Sequence, residues 1–490
     1  MSEQVIPPTV LNWIDGREVP AASGELVDKL DPATGALLCR LARSGQKEVD
    51  QAVESAARAQ AAWAALTPVR RGEILYAVAA AMEESAQEIA AIVAKETGKS
   101  PAEALGETGG AIALARFFAG EGQRLYGRTL TSGMQGRQAF TLRQPLGVAG
   151  LIIAANTPIA NVAWKVFPAL ICGNAAVLKA AEDTPATAWI VGRVARRAGL
   201  PDGVLNIIQG LGPEAGAPLV RHPRVPVISF TGSAAVGREI AVACGQRLAK
   251  VSLELGGKNP LVVCDDADLE NACRWVLLSA FSNAGQRCAA AGRIIIFQSI
   301  YPEFRDMLLE ATARLKLGPN DGDDLGPVIN QRQLDNMLAQ VERAQRRGAR
   351  VLCGGRRLDD PEHAAGFYMA PTLIEEDDPD SEIARTELFG PITLLFAARD
   401  FEHALELANR SPYGLTACIH TQNLHRALEF CNRVQAGVAV VNAGTYGSEP
   451  HMPFGGLKDS GNGTREPGTE ALDIYSELKN VYLHLDPEKV

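Results

Sequence analysis

From residue 146 onward the chain repeats one pattern: a short apolar run, a stretch of helical periodicity, then another apolar run. The runs cover residues 146–155, 175–178, 204–208, 225–230 and 250–255. Helix-like segments lie between them at residues 161–170, after Thr184-Pro185, after Gly212 and after Gly232. Strands and helices alternating at this spacing predict a parallel sheet covered on both faces, an open doubly wound α/β domain. In such a sheet ligands are expected in the crevice beyond the carboxyl ends of the strands.

A second α/β block is expected over residues 259–453, with strands at 260–263, 293–297 and 438–441; the glycines and proline within residues 255–260 mark the junction. Ahead of both blocks, residues 48–66, 71–97 and 101–123 carry apolar residues at three-and-four spacing and predict helices. Residues 474–485 alternate over their last half, which predicts a terminal strand paired outside its own domain, against a partner subunit. A chain of 490 residues is too long for one ordinary core, so two or three domains are expected.

A net charge of −9 argues against a surface built to attract phosphate backbones, so no nucleic-acid partner is expected. No window approaches the roughly 18 apolar residues of a membrane span, and the first residues do not read as a leader, so the reading is cytoplasmic with no membrane partner. The nine cysteines are odd in number and none falls in close metal-ligand spacing, which predicts reduced thiols and no metal.

Three residues are candidates for chemistry. Cys288 closes the polar, glycine-bearing segment Asn283-Ala-Gly-Gln-Arg-Cys, where a thiol is within reach of a substrate; a packed cysteine at a strand start is the alternative. Glu254 lies inside an apolar run that stops at Gly256-Gly257. Burial there raises a carboxyl pKa and makes a base competent near neutral pH, whereas a solvent-facing strand position would make it inert. Asn156 ends the first apolar run, where its amide could donate to an oxyanion or simply shape an Asn-Thr-Pro turn.

For a dinucleotide, Gly232 and Ser233, with Gly237 one turn on, stand between a strand and a helix, where free amides and the helix dipole meet a pyrophosphate. The G-x-G-x-x-G fingerprint is missing, and Gly210-Leu-Gly212 with Gly216 is one residue too long for it. Lys179 and Glu182 follow an apolar run and are placed for an adenosine ribose; ordinary surface charge is the alternative.

Taken together these segments resemble the aldehyde dehydrogenase superfamily over essentially the whole chain. The likeness is carried by Asn156 with Pro158, Trp164-Lys165, Lys179 with Glu182, Gly232-Ser233 with Gly237, Glu254-Leu-Gly-Gly-Lys, Gly285-Gln-Arg-Cys288, Glu387-Leu-Phe-Gly-Pro391 and Pro453-Phe-Gly-Gly-Leu-Lys. The resemblance implies a Rossmann-type cofactor domain (residues 1–121 and 145–255), an α/β catalytic domain (256–457) and a small β oligomerisation element (122–144 and 470–490). It implies oxidation of an aldehyde to an acid through a thioester on Cys288, with Asn156 on the oxyanion and Glu254 activating water. NAD is the implied cofactor, NADP a possible one, contacted by Trp164, Lys165, Lys179, Glu182, Gly232, Ser233, Gly237, Leu255, Gly256, Glu387 and Phe389. A carboxylate at 182 accepts from a ribose 2′-hydroxyl and repels a 2′-phosphate, which favours NAD. A homodimer or homotetramer is implied as well.

The chain departs from the common family pattern at Ala154-Ala-Asn-Thr-Pro158, where many relatives carry two aromatics, so a wider or more polar entrance is expected. Thr157 and Arg287, with Glu449 and His451, suggest a polar substrate, and the segments around Cys288 and Lys458 resemble those of semialdehyde dehydrogenases such as 2-oxoglutarate-semialdehyde dehydrogenase. Arg287 could equally turn away into an ion pair. A CoA-acylating relative and an idle binding protein are the rival readings. The first usually lacks a glutamate at position 254, and the second has no need for Asn156, Glu254 and Cys288 together.

Overall fold

The computed structural model describes residues 5–489. Its first large sheet has seven strands, in the order Lys250–Glu254, Val227–Thr231, Val148–Ile152, Ala175–Lys179, Leu205–Ile208, Asn12–Ile14, Arg17–Val19. The first five are parallel. In chain order the five parallel strands begin at Val148–Ile152 and grow outward in both directions, so the order reverses between that strand and Val227–Thr231. A doubly wound sheet opens its ligand crevice at this reversal, and Asn156 and Gly232 follow the two strands that flank it.

The last two strands form a hairpin that the helical reading of the first third did not anticipate. Asp15 and Gly16 take left-handed backbone, with φ of 54° and 70°, which makes the tight turn that two adjacent strands require. A separate three-stranded sheet of Thr9–Val10, Leu37–Ala42 and Leu26–Leu30 also precedes the helices. The helix expected over 71–97 is two helices, Pro68–Glu84 and Ala86–Thr97, parted at Ser85. Apolar spacing carries across a one-residue break and so conceals it. Helix Pro101–Glu121 begins as its sequence implies, with Ser100 accepting from the Glu103 amide and a proline in the first turn.

The second seven-stranded sheet runs Arg350–Cys353, Thr372–Glu375, Ile392–Ala398, Ala291–Phe297, Asn259–Val263, Thr416–His420, Val438–Val441. The last six are parallel to one another, and the first is antiparallel to the second. Residues 255–258 join the two sheets and bring the end of one beside the start of the other. The terminal strand Ser476–His484 pairs antiparallel with Arg137–Pro145 of the same chain, so its backbone partner lies within the chain. Among the described residues no helix is long and apolar enough to cross a membrane.

Candidate active site

Between helix Leu269–Phe281 and strand Ala291–Phe297 the backbone turns through Asn283, Ala284 and Gly285, at φ of 53°, 52° and 66°. Left-handed backbone costs roughly 1–2 kcal/mol per residue with a side chain, so the turn needs anchors. Gln286 supplies them: its amide nitrogen donates to the carbonyls of Asn283 at 3.2 Å and Pro327 at 3.3 Å, and its oxygen accepts from the Ile329 amide at 2.9 Å. A Cβ at Gly285 would stand 2.1 Å from the Gly390 carbonyl, which is why glycine ends the turn. Cys288 emerges half-buried, its carbonyl held by Asn259 Nδ2 at 2.8 Å.

Asn156 comes to this turn from the first sheet. Its Nδ2 donates to the Gln286 carbonyl at 3.0 Å, and its own carbonyl accepts from Asn283 Nδ2 at 3.1 Å and Lys99 Nζ at 3.0 Å. Glu254, last residue of its strand, is 3% exposed, and neither carboxylate oxygen has a hydrogen-bond partner among the described residues. Burial, reinforced by the nearby Glu466 carboxylate, pushes its carboxyl well above the ordinary value of 4.5. Burial likewise pushes the Cys288 thiol up to about 12, with Glu387 and Glu254 adding to the effect. Such a thiol ionises only when a base takes its proton.

Two cavities meet at Cys288. One, of about 310 Å³, is lined by Thr231, Gly232, Ser233, Glu254, Leu255, Gly256, Glu387 and Phe389 among others. The other, of about 700 Å³, runs past Glu103, Leu114, Arg287, Tyr446 and Glu449. Asn156, Thr157, Trp164, Cys288 and Phe454 border both and form the wall between them. Trp164 and Phe454 brace one another edge to face, their ring centroids 5.3 Å apart.

The smaller cavity fits a dinucleotide. It lies at the reversal of strand order, and helix Ala234–Gln246 begins at it with Ser233 as cap, accepting from Val236. Thr231 Oγ1 is buried there without a partner among the described residues. At Gly256 a Cβ would stand 1.8 Å from Glu387 Oε2, so only a glycine leaves Glu387 its place. Glu387 accepts from the Gly257 amide at 3.0 Å, and burial lifts its carboxyl to about 7. Gly237 lets the helix approach Leu255, whose Cδ2 would be 2.5 Å from an added Cβ.

Two expectations need correction. The Gly232 amide is not free for a pyrophosphate, because it donates to the Glu254 carbonyl at 3.1 Å. Lys165 does not face the cofactor cavity: fully buried, it donates to Ser229 Oγ at 2.6 Å and Glu466 Oε2 at 2.8 Å. Helical periodicity turns Lys165 inward while its neighbour Trp164 faces the cleft. Lys179 and Glu182 stand outside the cavity lining, at the carboxyl end of strand Ala175–Lys179, paired at 2.7 Å. Burial opposes ionisation of Glu182, but the Lys179 ammonium prevails and holds its carboxyl below the usual value.

The aldehyde dehydrogenase family profile matches residues 19–481. The chain belongs to the aldehyde dehydrogenase family. It is therefore an NAD(P)-dependent oxidoreductase that converts an aldehyde to the carboxylic acid. Over 478 residues it is 39% identical to the alpha-ketoglutaric semialdehyde dehydrogenase of Bacillus subtilis, a match covering 97% of this chain and 98% of the relative. Among solved structures it is similar to HpcC of Thermus thermophilus, with a TM-score of 0.94, 35% identity and coverage of 98% and 94% of the two chains. It is also similar to the betaine aldehyde dehydrogenase of Staphylococcus aureus in complex with NAD+, with a TM-score of 0.95, 29% identity and coverage of 98% and 96%.

In this aldehyde dehydrogenase several site residues carry no local signal in the sequence. Glu466, fully buried, takes Lys165 across 301 positions, and Lys99 meets Glu107 at 2.6 Å with both side chains almost wholly covered. Glu107 also accepts from the Ile159 and Ala160 amides, which ties helix Pro101–Glu121 to the first turn of helix Pro158–Ile171. An N-terminal proline and a capping serine reveal where a helix starts, not which distant carboxylate reaches it. Of the residues expected to favour a polar substrate, Thr157, Arg287 and Glu449 line the larger cavity. His451 is outside that lining and pairs loosely with Glu449 at 3.9 Å, both side chains being exposed.

Proposed function

We propose that this chain oxidises a polar aldehyde of the semialdehyde class with NAD, using Cys288 as nucleophile, Asn156 as oxyanion donor and Glu254 as base. The observation that carries the reading is that all three side chains line the smaller cavity, Asn156 and Cys288 at its wall with the larger one. The Cys288 sulfur bonds to the aldehyde carbon while its proton passes to solvent through the larger cavity that Cys288 borders. Asn156 Nδ2 and the Cys288 main-chain amide then hold the oxyanion. A bound nicotinamide supplies the acceptor for the hydride that leaves this carbon. On the resulting thioester, Glu254 takes a proton from water, the new C–O bond forms, and the C–S bond breaks to release acid and thiol.

Trp164, Ser233, Leu255, Gly256, Glu387 and Phe389 would hold the cofactor in the smaller cavity, Gly232 and Gly237 shaping its floor. Lys179 and Glu182 would take the adenosine ribose, and the Glu182 carboxylate favours NAD over NADP. The polar lining of the larger cavity and the 39% identity to a semialdehyde dehydrogenase support the substrate class. We read residues 1–121 and 145–255 as the cofactor domain, 256–457 as the catalytic domain, and 122–144 with 470–490 as the oligomerisation element. Leu142, Leu478, Tyr482 and Leu483 are exposed on that last sheet, which supports a homodimer or homotetramer; the cytoplasm is the location we propose. The test is NADH formation over aliphatic, aromatic and ω-carboxylate aldehydes, with NAD and NADP in parallel. A Cys288→Ser variant as fast as the parent would end the reading.

A further inference from the structure

Lys99 is 4% exposed, and its ammonium donates to two oxygens: Glu107 Oε2 at 2.6 Å and the Asn156 main-chain carbonyl at 3.0 Å. Asn283 Nδ2, from the turn that carries Cys288, donates to the same carbonyl at 3.1 Å. A carbonyl oxygen has two lone pairs, and both are taken. The Asn156 side chain is fixed as well. Its Nδ2 faces the Gln286 carbonyl, which can only accept, and its Oδ1 lies 3.5 Å from Asn161 Nδ2. One Nδ2 hydrogen goes to Gln286, and the other is left for an oxyanion.

Glu107 holds the far side of the same loop. At the N-terminus of helix Pro158–Ile171, which follows Asn156 and Thr157, its Oε1 takes the Ile159 and Ala160 amides at 3.0 and 3.3 Å. Free amides and the helix dipole favour a carboxylate there. Gly98 in turn lies directly against Pro327, since an added Cβ would stand 2.4 Å from Pro327 Cγ. The Pro327 carbonyl accepts from Gln286 Nε2 at 3.3 Å. Residues 98–107 therefore touch both the loop of the oxyanion amide and the anchor of the nucleophile's turn. A buried ion pair adds little stability, because desolvation offsets the attraction. What the Lys99–Glu107 pair supplies is a fixed place for the Asn156 backbone.

We propose that Lys99 and Glu107 are positioning residues for the oxyanion site, acting through Asn156. The ammonium sets the Asn156 carbonyl and the carboxylate sets the helix that follows, so the free Nδ2 hydrogen stays aimed beside Cys288. Both residues border the larger cavity and not the smaller one, so their effect falls on the aldehyde rather than on the cofactor. The inference rests on the oxyanion role proposed above for Asn156 and adds what holds that amide in place.

The test is a double-mutant cycle on kcat/KM for glutarate semialdehyde with NAD, in the parent, Lys99→Met, Asn156→Ala and the two combined. Lys99→Met is expected to lower kcat/KM about ten- to a hundredfold, the order of a misplaced reacting group, with KM for NAD unchanged. In the Asn156→Ala background the same substitution is expected to cost less than about twofold, because the amide it positions is gone. Lys99→Met with Glu107→Gln leaves no buried charge alone, and the new amide oxygen still accepts from Ile159 and Ala160. This variant should melt close to the parent and still show the loss; recovery of parental kcat/KM would trace the loss to the unpaired carboxylate and overturn the inference. A parental value in Lys99→Met overturns it too, as does a loss of equal size in both backgrounds, the mark of a purely structural role. If Asn156→Ala itself matches the parent, the oxyanion role falls and this inference with it; if Asn156→Ala is slow and Lys99→Met is not, only this inference falls.

Discussion

Asn156 Nδ2 donates to the main-chain carbonyl of Gln286, 3.0 Å away, and so joins the first sheet to the turn that carries Cys288. The amide proposed to stabilise the oxyanion is thus held on the nucleophile's own loop. Replacing Asn156 with Ala is expected to lower kcat by about 10²–10³-fold, as for loss of one oxyanion donor. Steady-state kinetics beside a thermal melt check this; a loss that merely tracks reduced stability would count against the role.

Glu254 is predicted to separate the two half-reactions. In Glu254→Gln, one equivalent of NADH should form in a burst and turnover then stall, with the acyl group retained on Cys288 and visible as a mass shift. In the parent, the hydrolytic step needs ionised Glu254, so the rate should fall as pH falls through a carboxyl pKa well above 4.5.

The same residue has a predictable effect on stability. Its folded-state pKa is raised, so between the unfolded value and the folded one the native chain binds more protons than the unfolded chain, and stability declines as pH rises. Glu254→Gln removes that penalty. The melting temperature of the variant should therefore exceed the parent's by a margin that grows with pH above 4.5. A margin independent of pH would show that the carboxyl is not desolvated.

Gly256 is expected to tolerate no side chain without cost to the cofactor. An alanine Cβ would lie 1.8 Å from Glu387 Oε2 and displace that carboxylate from the Gly257 amide. KM for NAD should rise about tenfold, the order of one hydrogen bond to a charged group. An unaltered KM would show that Glu387 does not hold the cofactor.

Lys165 and Glu466 form a buried pair, both side chains at 0% exposure. Lys165→Met leaves the buried carboxylate without its cation, held only by the hydroxyls of Ser229, Ser252 and Tyr475, and should cost about 3–5 kcal/mol in chemical denaturation. Lys165→Met with Glu466→Leu should recover part of that loss, since an apolar pair leaves no uncompensated charge.

The doubly wound character of the first sheet, the crevice beyond its strands and the candidacy of Asn156, Glu254 and Cys288 were legible in the sequence, because the alternation of apolar runs with helical periodicity is a local signal and the family motifs lie along it. Tertiary structure alone decided that Lys165 faces Glu466 rather than the cofactor, that Lys99 and Glu107 brace the Asn156 loop, and that Glu103 meets Arg287. Those pairings join residues 8 to 301 positions apart. A buried charge is set by whichever partner the packed chain delivers to it, and no spacing along the sequence encodes that meeting.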